Sequence, residues 1–260
     1  MKKAIIYVIE FFAIQLIVGF IVKMVWQLIT KSQDISTALL ITMTVATSVV
    51  TIAIFLLARW TVVSPHWIRT RPWMVLSWSV VAAMGAVIPS EWLQEQIPEL
   101  PNWMDSEFDM LLGNRWGYLA ICLLAPLSEE IVLRGAVLRS LLSKPLIAGR
   151  SERFNVWMAI VISALFFSLI HMNPAQMPHA FVIGLLLGWM YWRTGSILPG
   201  VAYHWANNSI AYILYHIYPN PDMRLIDVLG SQQRVLMAVG FSLLILVPAI
   251  YQLHLWMKRD

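Results

Sequence analysis

Eight apolar stretches of roughly bilayer-spanning length dominate this 260-residue chain, and they limit what it can fold into. A helix needs about 20 mostly apolar residues to cross a hydrocarbon core ~30 Å thick. The stretches fall near 4–29, 36–59, 73–92, 117–141, 155–173, 179–193, 196–217 and 234–257, the sixth being short. The expected fold is therefore an all-α integral membrane protein, a bundle of about eight transmembrane helices forming one transmembrane domain over residues 1–260. Composition agrees: 59% of the residues are hydrophobic and 12% charged, against about 25% charged in soluble domains. Met1-Lys2-Lys3 ahead of an apolar run resembles a secretory leader. The run continues to Ile29 without a small-residue cleavage site, so a retained first span is expected.

The loops then specify orientation. Basic residues gather at Lys2 and Lys3, at Arg59, Arg69 and Arg71, at Arg139, Lys144, Arg150 and Arg153, at Arg193, and at Lys258 and Arg259. With eight spans, all five groups fall on one side. Segment 91–115 falls on the other, carrying Glu91, Glu95, Glu99, Asp105, Glu107 and Asp109 against Arg115 alone. The bias of Lys and Arg toward the cytoplasm places both termini there. Segment 91–115, broken by Pro89, Pro98 and Pro101 but still partly apolar, is expected to lie along the outer interface. A net charge of +4 reads as topology, not as affinity for nucleic acid. The single cysteine, Cys122, excludes an intramolecular disulfide and a CxxC metal site.

Within the fourth stretch, Ser128-Glu129-Glu130-Ile131-Val132-Leu133-Arg134 puts three ionisable groups at membrane depth. Each costs about 2.5–3.5 kcal/mol or more at a helix centre, so such groups default to a functional role. Glu130 and Arg134 are four apart with the acid first, the favourable order for an ion pair on one helical face. Glu129 is rotated about 100° from that face and has no partner in its own helix, so it is the carboxylate available for chemistry. The bland alternative is a structural ion pair with a spare acid bonded to a neighbouring helix.

Two later stretches add imidazoles and an amide. The fifth ends with Phe167, His171 and Asn173, and the seventh carries His204 and Asn208, four apart on one face. At the helical rise Glu129 and Asn208 lie roughly 18 Å in, His204 roughly 12 Å and His171 roughly 24 Å, scattered around the middle of the ~30 Å core. A carboxylate, two imidazoles and an amide around a wet cavity can activate water and stabilise an oxyanion. His66, His179, His216 and His254, in loops or near span ends, read as ordinary histidines.

Glu129-Glu130-x-x-x-Arg134, Phe167-x-x-x-His171 and His204-x-x-x-Asn208 resemble, in order and spacing, the three motifs of the CAAX-protease and bacteriocin-processing (CPBP) family of intramembrane endopeptidases. The resemblance covers about residues 117–212. It implies hydrolysis of a peptide bond in a membrane-associated peptide or protein, in a multi-pass protein of a bacterial cytoplasmic membrane. It further implies Glu129 as general base on a water shared with His171, His204 and Asn208 as the oxyanion site, and Glu130 and Arg134 as supports. No cofactor is expected. A zinc version remains open, since Glu129, His171 and His204 make a His₂Glu set, though there is no HExxH. A carrier or a non-catalytic bacteriocin-immunity protein are the other classes; the lack of an internal repeat counts against a carrier.

Overall fold

A computed structural model describes residues 1–62, 72–218 and 223–257. His66, Arg69, Arg71, Lys258 and Arg259 lie outside the described residues. Among those described, the chain forms ten helices and no strand. They are α1 (Lys2–Thr30), α2 (Thr37–Leu57), α3 (Pro72–Gln94), α4 (Asp105–Leu112), α5 (115–142), α6 (Glu152–Leu169), α7 (Met177–Thr194), α8 (Leu198–Ile217), α9 (Leu225–Leu229) and α10 (Gln232–Trp256). The eight long helices match the eight apolar stretches.

Five of them, α1, α2, α3, α6 and α10, are long and apolar enough to cross a membrane by length and composition. Of the other three, α5 carries Glu129, Glu130 and Arg134, and α8 carries His204, Asn207 and Asn208. Large apolar side chains such as Leu16, Phe20, Phe241 and Leu244 are exposed along α1 and α10. In a multi-pass protein these are the faces that meet lipid, where packing and polar bonds, not water exclusion, hold helices together.

Helix ends follow local chemistry. Ser36, Ser151 and Ser231 accept hydrogen bonds from the backbone N–H of Leu39, Phe154 and Arg234, capping α2, α6 and α10. Helix α7 stops at Gly195, whose φ of 64° suits glycine. Helix α6 ends before His171, because Met172 turns into the left-handed region at φ 48° and Pro174 follows. His171 thus sits in the turn after α6, two residues past the helix end, where the expected span ran on to residue 173.

The centre is α5. Helices α1, α2, α6, α7 and α8 all pack against it. Every residue of Ile131–Leu138 is buried, as a helix surrounded on all sides requires. Two π-helical segments, Tyr118–Leu124 and Ile131–Leu138, flank the α-helical turn Ala125–Glu130. Such insertions disturb the regular carbonyl ladder and recur at functional sites. Here side chains of other elements bond carbonyls of these segments. Asn208 Nδ2 donates to Ile121 O at 2.9 Å, Thr61 Oγ1 to Ile131 O at 2.6 Å and Ser163 Oγ to Leu133 O at 3.2 Å. Backbone groups at membrane depth need such partners.

Candidate active site

The ion pair implied by the four-residue spacing forms. Arg134 Nη1 donates to Glu130 Oε1 at 2.7 Å, with both side chains fully buried. The guanidinium also donates through Nη2 to Gly184 O at 3.4 Å and lies 4.3 Å from the centroid of the Phe167 ring. Arg134 therefore ties α5 to α7 through a carbonyl and to α6 through an aromatic face.

Helix α8 comes in close over Glu130. A Cβ at Gly200 would lie 2.6 Å from Glu130 Oε2, so only glycine lets the two helices approach this closely. That approach sets His204 one turn further along α8, between the paired acids. Its Nδ1 is 3.5 Å from Glu130 Oε1 and its Nε2 is 3.8 Å from Glu129 Oε2. Neither contact meets hydrogen-bond geometry: His204 Nδ1, Glu129 Oε2 and Glu130 Oε2 are buried polar atoms without a hydrogen-bond partner. Buried groups of this kind are normally satisfied. Three at one spot mark a polar pocket fitted to take a further polar group.

Phe167 is the hinge between the two imidazoles. The His171 and His204 rings both meet it edge-on, at centroid distances of 5.1 and 5.5 Å. His171 Nδ1 donates to Phe167 O at 2.7 Å. A carbonyl can only accept, so this bond fixes the tautomer and leaves Nε2 with its lone pair. The turn is held by the segment before α4: the fully buried Asn173 donates to Asn102 Oδ1 at 2.8 Å and accepts from Trp103 N at 3.1 Å. Gln94 Nε2 bonds Ala175 O at 2.9 Å, and Ala175 N bonds Pro101 O at 3.2 Å.

Glu129, Glu130, Arg134 and His204 meet directly, and the Phe167 ring links His204 to His171. Among the described residues the only ion-pair contacts within 4.0 Å join Glu129, Glu130, Arg134 and His204, and none joins Glu129 to His171. The reason is geometric: α8 packs directly on α5, whereas His171 lies past the end of α6 on the far flank of Phe167. Asn208 spends one amide hydrogen on Ile121 O, and its Oδ1 accepts from Asn207 at 3.2 Å. One Nδ2 hydrogen remains, since an amide carries two.

A third imidazole joins the group. His179, in the first turn of α7, lies close enough to interact electrostatically with both His171 and His204. Sequence reasoning set it aside as a residue near a span end. The short turn between α6 and α7 was the available signal, because it folds residue 179 back beside residue 171. No three His, Cys, Asp or Glu side chains among the described residues are grouped to hold a metal ion, Glu129, His171 and His204 included.

Residues 112–210 match the family model described as type II CAAX prenyl endopeptidase Rce1-like. This segment is similar to the CAAX-protease family over 99 of the 260 residues. The match begins at the end of α4, spans α5 to α7 and closes within α8, so it takes in every motif residue described above. No curated protein and no solved structure matches the chain. Outside the matched segment lie α1, α2, α3 and α10, all apolar enough to cross a membrane.

Proposed function

We propose that the chain is an intramembrane endopeptidase that hydrolyses a peptide bond of a membrane-associated peptide or protein, without a metal, in a bacterial cytoplasmic membrane with both termini inside. The observation that carries this reading is the unpartnered Glu129 Oε2, buried 3.8 Å from His204 Nε2 within the segment that matches the CAAX-protease family model. In the proposed reaction Glu129 takes a proton from water as its oxygen attacks the scissile carbonyl carbon. His171 Nε2, left with its lone pair, accepts a hydrogen bond from the same water and orients it. The carbonyl π electrons move onto oxygen, and an N–H of His204 and the second amide hydrogen of Asn208 stabilise that oxyanion. Collapse of the tetrahedral species breaks the C–N bond, and Glu129 returns its proton to the leaving nitrogen.

Glu130 is unsuited to the role of base because Arg134 holds it at 2.7 Å with no exposure. Its part is to fix the α5 turn and to brace His204. The substrate reaches the site from the membrane, and whether it carries a lipid follows from its identity. Comparative proteomics on a deletion strain complemented with wild type or Glu129→Ala identifies it: a peptide cut in the first and intact in the second is the substrate. If both strains cut every membrane peptide alike, the chain is a non-catalytic immunity protein or carrier.

A further inference from the structure

A second site lies at the opposite end of α5 from Tyr118. A cavity of about 730 Å³ opens where α5 ends, α6 begins and α7 ends, beside the connection 143–151. Ligand pockets usually hold about 300–1,000 Å³. Arg139, which lines it, is nine residues beyond Glu130, about two helical turns away, and the intervening Ile131–Leu138 are all buried. The cavity is thus separate from the motif residues.

Its lining is charged in one sense. Arg139, Lys144 and Arg150 face it with Glu152 as the single acid. Among the described residues no carboxylate comes within 4.0 Å of any of the three cations, since all such pairs lie at the motif site. Unpaired cations around a concavity, not on a convex face, point to a missing anion. Arg139 is set in place: it is half-buried, and its Nη2 donates to Trp60 O at 2.9 Å. Tyr191 lines the wall with its ring buried and its hydroxyl within the electrostatic field of Arg139. Lys144 and Arg150 are exposed at the rim.

The level of the cavity names the anion. Even with 15 of its 28 residues in the more compact π-helical segments, α5 exceeds the ~20 residues that cross a ~30 Å core, so its end reaches the headgroup layer. Tyr191 and Trp192 are the amphipathic aromatics that favour that layer. A guanidinium matches a phosphate with paired N–H donors, and an ammonium adds a mobile charge. Basic pockets between transmembrane helices take phospholipid headgroups.

We propose that this cavity binds the phosphate of an anionic phospholipid headgroup, with Arg139 at its floor and Lys144 and Arg150 at its mouth.

The test uses full-length protein purified in detergent, titrated with phosphatidylglycerol, phosphatidylcholine or inorganic phosphate, and read by thermal unfolding and by native mass spectrometry of retained lipid. Phosphatidylglycerol is expected to raise the unfolding temperature and to stay bound. Lys144→Gln/Arg150→Gln, both exposed positions, is expected to weaken that binding about 30-fold, from the usual contribution of a cation near a charged headgroup. Arg139→Gln is expected to weaken it as well. An equal response to phosphatidylcholine would overturn the charge-based assignment, and this arm needs only the wild-type protein. An equal response to inorganic phosphate would make the ligand a soluble phosphate. Variants that retain phosphatidylglycerol like wild type would place the lipid elsewhere.

Discussion

Replacing Glu130 by Gln tests the division of labour between the adjacent acids. The change keeps an acceptor oxygen near Arg134 Nη1 but removes the negative charge, leaving a guanidinium fully buried with no counter-ion at 2.7 Å. Breaking a buried pair from one side costs about 3–5 kcal/mol. The Phe167 ring 4.3 Å away and Gly184 O stay in place and offset a part of this, so the lower end of the range is expected. For chains of about this size each kcal/mol shifts the unfolding temperature by roughly 2–4 °C, so a loss of about 3 kcal/mol gives a drop of about 6–12 °C. Glu129→Gln behaves differently. Its side chain is 19% exposed and Oε2 has no hydrogen bond to lose, so the unfolding temperature stays within a few degrees while cleavage stops. A double change, Glu130→Gln with Arg134→Met, removes both charges and recovers most of the stability, since apolar replacement of a whole buried pair is often neutral. The assay is thermal unfolding of each variant in one detergent, alongside peptide cleavage. Equal destabilisation by Glu129→Gln and Glu130→Gln would refute the reasoning and make Glu129 a structural acid.

Three further outcomes are expected. Gly200→Ala places a Cβ 2.6 Å from Glu130 Oε2, and overpacking of about 1–3 kcal/mol should lower both stability and activity; unchanged stability would show that α8 does not approach α5 this closely. His204→Ala and Asn208→Ala each lower kcat by about 10²–10³ with little change in KM, measured by initial rates on the identified peptide, whereas activity lost to chelator and restored by Zn²⁺ would replace the water-activation scheme with a metal one. Reporter fusions after Ala148 and near Asn102 should report opposite sides, inside and outside respectively, and a common side for both would refute the orientation.

The positions of the eight long helices were legible because lipid imposes one length scale on all of them and the apolar runs display it. The Glu130–Arg134 pair was legible for a similar reason: within a helix, spacing fixes which side chains share a face. Contacts between helices were not. Which imidazole faces Glu129 depends on how near α8 can come, and Gly200 controls that from a different part of the chain. The π-helical segments left no trace in the apolar pattern, because an inserted residue rotates the downstream face without changing its composition. His179 escaped for the same reason as the cavity at Arg139: both depend on how the ends of α5, α6 and α7 meet, which periodicity along any one helix does not record.

The side-chain bonds to the carbonyls of α5 bear on how the protein is made. An isolated α5 entering lipid would carry three ionisable groups at about 2.5–3.5 kcal/mol each, together with carbonyls whose partners sit on Thr61, Ser163 and Asn208. Two of those partners are synthesised after α5 and one before it. Helices α1 to α3 are apolar enough to partition on their own, whereas α5 gains two of its carbonyl partners only with α6 and α8. The five most apolar helices can thus enter as independent hydrophobic rods, whereas the reactive helix is held in place by its neighbours as well as by the lipid.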